Sequence, residues 1–331
     1  MKYNNIKTSI VEQFKVPNGN KIVPFILGAP GGGKSACARE IMEQLDLDLV
    51  VEFTASLRDP VDVMGTPNNR DQAYTKWVPP EEFYNLQTGR VGLILEELSD
   101  APIPMQNALC GVIYDKRAGA IQLSKDLFII ATGNRTEDKS GANRITSKLA
   151  NRTRRFDFTE NIDDWTTWAL DNDINEVLIQ FLRFRPNLLS DFDANRFANP
   201  TPRSWERVNL IPASLPDQLF FDNCAGEVGE GASAEYTGFK RIYEALPNMD
   251  ALLLDPKNAD VPSDPAVLYA ITGALARKAT KDNFDRVTAY TNRLTPEFGV
   301  MCVKDAIKLQ PTIKTSRSFI EWATKNAEVL M

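Results

Sequence analysis

The sequence predicts an α/β fold, a five-stranded parallel sheet that carries a phosphate-binding loop, followed by an α-helical region. Three features of the chain point to it. Apolar β-rich runs alternate with amphipathic stretches over residues 1–160. A glycine-rich octapeptide, residues 28–35, joins the first such run to the first helical one. Over residues 161–331 the β pattern gives way to helical periodicity broken by prolines.

Residues 22–27 read as a strand, 33–45 as a helix and 49–54 as a second strand. Residues 91–95 and 127–131 read as the third and fourth strands, and a fifth falls near 155–158. Near-continuous apolar runs such as Leu93-Ile94-Leu95 and Leu127-Phe128-Ile129-Ile130 suit strands covered on both faces, as in a parallel sheet. A helix beginning at Pro102 and a short hairpin at 118–123 lie between the third and fourth strands. In the second region, 174–184, 203–210, 234–246 and 267–281 carry helical periodicity. Pro186, Pro200, Pro216, Pro247 and Pro256 separate these stretches, because proline cannot continue a helix interior. Residues 226–231 (Gly-Glu-Val-Gly-Glu-Gly) and 255–264 read as exposed loops.

At 331 residues the chain is long enough for about two domains, and 43% apolar with 25% charged residues is ordinary globular usage. Thirty-eight basic against forty-four acidic residues leave a net charge of −6, which argues against a generalised nucleic-acid coat. There is no histidine. Ser-His-Asp and Cys-His nucleophiles, HExxH zinc sites and imidazole bases are therefore excluded, leaving carboxylates, Lys, Arg, hydroxyls and backbone amides. Cys37, Cys110, Cys224 and Cys302 form no CxxC pair and read as reduced packing residues. No run reaches the ~20 apolar residues of a membrane span, and the polar start at 1–8 is followed by no signal-like apolar region. A cytoplasmic protein without a membrane segment is the expectation.

Gly28-Ala29-Pro30-Gly31-Gly32-Gly33-Lys34-Ser35 matches GxxxxGK[ST], directly after an apolar strand and opening a helix. Such a loop wraps its backbone N–H groups around phosphates, and the helix N-terminus adds positive partial charge. Gly28, Pro30, Gly31, Gly32, Gly33, Lys34, Ser35 and Ala36 are the candidate nucleotide-binding residues. Lys34 would reach the β- and γ-phosphates and Ser35 would ligate Mg²⁺. The plainer reading is a glycine-rich turn that packs a helix on a sheet. A phosphate loop needs a carboxylate at the end of a neighbouring strand. Leu93-Ile94-Leu95-Glu96-Glu97 supplies two, Glu96 for the metal and Glu97 to polarise the attacking water, although a strand leaving the core also ends in solvated acids. Asn134, ending Ala131-Thr132-Gly133-Asn134 at the tip of the strand beside the loop, sits where an amide meets γ-phosphate and lytic water, or where an ordinary turn falls. Between 135 and 155, Arg135, Lys139, Arg144, Lys148, Arg152, Arg154 and Arg155 face only Glu137 and Asp138. That segment reads as a solvated basic face, a nucleic-acid groove, or the carrier of an arginine finger acting on a neighbouring subunit.

With these residues in order, the chain resembles an AAA+ ATPase of the MoxR-like group, of a bacterial and phage-encoded branch, over most of its length. By that resemblance Gly28–Ser35 is Walker A, Glu96-Glu97 ends Walker B and Asn134 is sensor 1. Leu149-Ala150-Asn151-Arg152 resembles the finger segment, with Arg152 the first candidate and Arg144 the second. Thr201-Pro202-Arg203-Ser204 resembles sensor 2, so that Arg203 would approach the γ-phosphate from a helical lid. The resemblance implies a P-loop NTPase fold with a lid, Mg²⁺ and ATP as cofactors, and a homo-oligomer closed into a hexameric ring. It further implies a remodelling chaperone, with a von Willebrand factor A domain protein as a partner. It places a pore-facing insertion within 56–80, where Tyr74 and Trp77 would grip a client unless Trp77 packs under Pro79 and Pro80. One residue departs from the pattern. Walker B normally ends Asp-Glu, and the extra methylene of Glu96 moves its carboxylate about 1.5 Å further out. That bears on hydrolysis rate more than on binding. It keeps open an ATP-binding structural or signalling ring with little turnover, with a DNA-dependent motor as the third reading.

Overall fold

Strands β1 (Val23–Gly28), β2 (Leu49–Thr54), β3 (Thr66–Asn68), β4 (Lys76–Val78), β5 (Val91–Glu96), β6 (Arg117–Ala118), β7 (Ile121–Gln122), β8 (Leu127–Asn134) and β9 (Thr153–Asp157) are the β structure of the computed structural model, which describes residues 1–70, 74–138 and 143–326. Five of them form one parallel sheet in the order β2-β5-β8-β1-β9. Helices separate them along the chain, so the predicted α/β class with a five-stranded parallel sheet is the observed one.

The three central strands are buried along nearly their whole length, and alternate residues enter two different cores. Phe25, Leu27, Leu93, Leu95, Ile129 and Ala131 pack on one face, with Phe53, Leu98, Met105 and Leu109. Ile26, Ile94, Phe128 and Ile130 pack on the other, with Cys37, Ile41 and Met42 of the helix Lys34–Glu43. Fully burying one such side chain is worth about 1.5–3 kcal/mol, so burial on both faces holds the sheet that presents the loop after β1. The second core face is completed by a helix that the sequence reading did not assign, Tyr3–Lys15. It lays Ile6, Ile10 and Phe14 in one stripe over it, with Phe14 edge-on to Phe128 at 5.2 Å between ring centroids.

The chain divides into two units, Met1–Asn161 with Phe192–Arg196, and Ile162–Asp191 with Phe197–Met331. Among its described residues the second unit is helical. Its helices include Glu176–Phe184, Pro202–Asn209, Asp217–Val228, Glu230–Glu244, Pro265–Lys278 and Pro296–Leu309. Phe181 meets Trp205, Tyr236 and Phe239 at 5.3–5.8 Å, and the Trp205 indole N–H donates to the Leu188 carbonyl at 2.6 Å. Arg183 and Asp305 form a two-pronged ion pair in the same unit.

Two local expectations are corrected. Residues 226–231 are not a loop. The helix Asp217–Val228 and the helix Glu230–Glu244 are parted by Gly229 alone, whose φ of +86° breaks the helix in one residue. Glu96 is not on the strand beside β1: β8 lies between β1 and β5, so two inter-strand steps, about 10 Å, separate them. The 255–264 stretch is a loop as expected, and the 118–123 hairpin appears as β6 and β7. Within the insertion, β3 and β4 pair antiparallel with Trp77 opposite Pro67. Trp77 is 43% exposed and Tyr74 is 69% exposed, so Trp77 is not packed away under the prolines. Among the described residues no helix is long and apolar enough to cross a membrane, and Cys37, Cys110, Cys224 and Cys302 are free thiols.

Candidate active site

The loop after β1 turns on two glycines in the left-handed region, Gly31 at φ +72° and Gly33 at φ +101°, and the helix Lys34–Glu43 starts directly from it. A side chain at either position would be strained, which is why the turn is built from glycine. Gly28 and Ala29 are buried, Pro30, Gly31 and Gly33 partly so, and Ala36 is exposed. Gly32 is buried for a reason outside the loop. A Cβ there would stand 2.1 Å from Oε1 of Glu160, a residue of the segment that follows β9.

The Lys34 side chain folds back over this loop. Its ammonium donates to the carbonyls of Gly28 (3.0 Å) and Ala29 (2.7 Å) and to Oδ1 of Asn134 (3.0 Å). The contact follows from register, because β8 is hydrogen-bonded to β1 and Asn134 lies level with Gly28. The amide is held on its other side too. Its Nδ2 donates to Oδ2 of Asp100 at 2.7 Å, and its backbone N–H donates to the Ser99 hydroxyl, also at 2.7 Å. Ser99 in turn donates to Oδ1 of Asp100 at 3.1 Å. Desolvation raises the carboxyl pKa of Asp100, against the hydrogen bonds from Ser99 and Asn134 that lower it. Gly133 is required here by space: a Cβ would lie 2.6 Å from the Ser99 hydroxyl.

The end of β5 places its two acids differently. Glu96 is mostly buried, with Arg39 of the loop-bearing helix at 3.2 Å and the Thr54 hydroxyl at 3.5 Å. Arg39 also grips Glu52 with two bonds of 2.7 Å, which lowers the Glu52 pKa. Glu97 is exposed and adopts φ +53°, a left-handed conformation that costs a non-glycine residue about 1–2 kcal/mol. The backbone is held there by Leu98 N–H to the Thr132 carbonyl and Asp100 N–H to the Glu97 carbonyl, both at 2.9 Å. The Glu97 carboxylate accepts a short hydrogen bond from the Ser56 hydroxyl, just beyond β2. Strain of this kind persists where surrounding structure fixes it, and it clusters at functional sites.

The oxygen donors expected to serve a divalent cation, the Ser35 hydroxyl and the Glu96 carboxylate, are of the type that Mg²⁺ prefers. Ser35 stands in the first turn of the helix, and its hydroxyl makes no hydrogen bond among the described residues. The donor set therefore fits the ion, with Glu96 partly engaged by Arg39.

The two finger candidates lie apart. Arg152 directly precedes β9, where Thr153 pairs with Val23 at the start of β1. Five residues of strand, about 16 Å, separate that level from the loop after Gly28. Its guanidinium lies over the Tyr114 ring at 4.7 Å and donates to the Lys148 carbonyl at 2.9 Å, while its Nε is buried without a partner. Arg144 is exposed and follows Asn143, whose backbone N–H donates to the Ser99 carbonyl at 2.8 Å, beside the turn that holds Asn134. Three other bases of the segment are engaged by partners. Arg135 pairs with Asp138, Arg154 donates to Gln13 and Arg155 pairs with Asp157, while Lys139 lies outside the described residues. In the second unit, Arg203 is an exposed residue of the helix Pro202–Asn209, which Thr201 and Ser204 cap reciprocally.

The structure thus brings Gly28–Lys34, Asn134, Glu96 and Glu97 to the carboxyl ends of three strands. It adds Arg39, Ser56, Ser99, Asp100 and Glu160, none of which carries a motif in sequence.

No protein-family model matches the chain, and no curated protein matches it. Among solved structures, NtrX from Brucella abortus in complex with ADP is similar at 17% identity and a TM-score of 0.42, covering 99% of this chain and 68% of that one. A point mutant of RuvB from Thermotoga maritima is 14% identical at a TM-score of 0.38, over 76% of this chain and 74% of that one. A putative ATPase from Cytophaga hutchinsonii is 14% identical at a TM-score of 0.32, over 92% and 86%. Likeness at this level names no family for the chain, and its function is read from its own residues.

Proposed function

We propose that the chain is a Mg²⁺-dependent AAA+ ATPase of MoxR-like type, a ring-forming remodeller that acts on a protein partner. The observation that carries this reading is the bonding of Lys34 to both the loop carbonyls and Asn134, beside a strained, exposed Glu97 at the end of β5. ATP would lie on residues 28–36, with Lys34 exchanging its carbonyl partners for phosphate oxygens. Ser35, and Glu96 through water, would hold Mg²⁺, which would neutralise charge on the phosphates. Glu97, released from Ser56, takes the proton of the attacking water as its oxygen bonds to the γ-phosphorus and the bond to the β–γ bridging oxygen breaks. Asn134 orients that water.

Arg152, at the far end of the sheet from its own loop, is suited to a neighbouring subunit's site, which favours a ring. Arg144, beside the Asn134 turn, is the second candidate. Arg203 is assigned to the γ-phosphate from the helical unit, and a von Willebrand factor A domain protein is the proposed partner class. Exposed Tyr74 and Trp77 supply a gripping surface for a client. Among the described residues, the engagement of Arg135, Arg154 and Arg155 by Asp138, Gln13 and Asp157 disfavours a DNA-dependent motor. A second reading has its own observation. Arg39 already engages Glu96, so the chain could bind ATP as a scaffold and turn it over slowly.

ATP turnover per subunit, measured against protein concentration with Mg²⁺, separates the two. The remodeller predicts turnover that rises with concentration and falls by at least about a hundredfold in Glu97→Gln, the low end of general-base contributions. Arg152→Ala falls comparably, and mixing it with Glu97→Gln restores part of the activity. Bound ATP without turnover would instead establish the scaffold.

A further inference from the structure

The orientation of the Asn134 amide is chemically determined. Lys34 Nζ is a donor with no accepting capacity and lies 3.0 Å from one end, which must be the oxygen. The other end is then the NH₂, and it donates to Oδ2 of Asp100 at 2.7 Å. Ser99 closes the set by accepting the Asn134 backbone N–H and donating its hydroxyl proton to the other Asp100 oxygen. Every polar atom of this cluster thereby has one assignment. The strand end and the turn after β5 are also held together, through Asn143 donating to the carbonyls of Ser99, Asp100 and Ala101.

We propose that Asp100 is a positioning residue for hydrolysis: by binding the NH₂ of Asn134 it presents the amide oxygen, an acceptor, to the phosphate site. The inference rests on the ATPase reading and adds a consequence to it. Once Lys34 turns to phosphate, the exposed Asn134 oxygen can accept a proton of the lytic water, whereas an amide turned the other way would offer that water a donor. A water held by an acceptor keeps its lone pair free for phosphorus. Asp100 touches no nucleotide in this scheme and acts only through Asn134.

The test compares Asp100→Ala and Asp100→Asn in the intact chain, alone and combined with Asn134→Ala. Asp100→Ala should lower kcat by about tenfold to a hundredfold, the scale of a mispositioned group, with KM for ATP within twofold of wild type. Asp100→Asn should retain much of kcat. Its oxygen can still accept from Asn134 while its NH₂ donates to Ser99. In the Asn134→Ala background neither change should lower kcat further, because the residue it acts through is gone. The Asn134 side-chain NH₂ resonances, identified by their loss in Asn134→Ala, should show slow amide rotation in the wild type and fast rotation in Asp100→Ala. Equal losses in both backgrounds, an effect on KM alone, or an amide that rotates as fast in the wild type would overturn the proposal. The resonance experiment needs no turnover, so failure of the ATPase reading would appear as an ordered amide in a protein that does not hydrolyse ATP.

Discussion

Gly32 shows how a single position in the phosphate loop is fixed from outside it. The motif accepts any residue there, yet the Glu160 carboxylate fills the space a Cβ would take, 2.1 Å from Oε1. That oxygen is buried without a hydrogen-bond partner, and burial raises the Glu160 pKa, with Arg135 and Lys34 opposing. Gly32→Ala must therefore displace either the carboxylate or the loop, an overpacking cost of about 1–3 kcal/mol. The expected result is weaker binding of ATP in direct titration, with the loss largely recovered in the Gly32→Ala, Glu160→Ala pair. An equal loss with Glu160 already removed would show that the loop itself rejects the methyl. Residues of this kind were invisible in the sequence. Glu160, Asp100, Ser56 and Arg39 are common surface types with no spacing signature, and each reaches the loop or the acids only through partners between 34 and 128 positions away.

At the scale of elements, the phosphate-loop strand, its helix and the central strands were legible, because each is a long apolar run or a motif whose flanks agree with it. β2 runs over Leu49–Thr54 as expected, although its outer residues are exposed at the sheet edge. What escaped was decided by conformation or by tertiary burial. The Ile6, Ile10, Phe14 stripe of the first helix has helical spacing but sits among polar residues, and only the core it covers identifies it. The strand order puts Asn134 beside the loop, as the sequence reading expected, but sets Glu96 one strand further out, which no one strand records. The three glycines near 229 looked alike, and the structure separates their roles. Gly229 holds φ +86° and ψ 157°, a glycine-only conformation, whereas Gly226 and Gly231 have open space and helical backbones. Gly229→Ala is accordingly expected to cost about 1–3 kcal/mol of stability. Gly238→Ala, mid-helix and facing open space, is expected to gain about 0.5–1 kcal/mol. Denaturant unfolding of the two variants checks the pair, and a loss at both positions would contradict the assigned conformations.

For the whole molecule, each of the two units has cores of its own, and a buried acid gives the second a pH-dependent contribution to stability. Glu176 begins the helix Glu176–Phe184 and is only 9% exposed, with Oε1 unpartnered. Burial pushes its carboxyl up from 4.5 to about 7, although Arg277 and the Tyr243 hydroxyl favour the anion, while Asp305 opposes it. A raised acid pKa means that the native state binds the proton more tightly than the unfolded chain. Below pH 4.5 both states are protonated and nothing is lost. Between 4.5 and about 7 the unfolded chain releases its proton first and native stability falls, and above about 7 both are ionised and the full penalty stands. Each tenfold in proton affinity is worth about 1.4 kcal/mol, so this residue should cost the helical unit about 3 kcal/mol between pH 4.5 and pH 8. Glu176→Gln keeps the shape and an acceptor for Tyr243 while removing the ionisation. Relative to it, the wild type should lose stability as pH rises from 5 to 8, in the unfolding transition of the helical unit, followed by calorimetry across that range. A wild type whose transition moves in parallel with Glu176→Gln would show that this carboxyl ionises as freely in the folded chain as in the unfolded one.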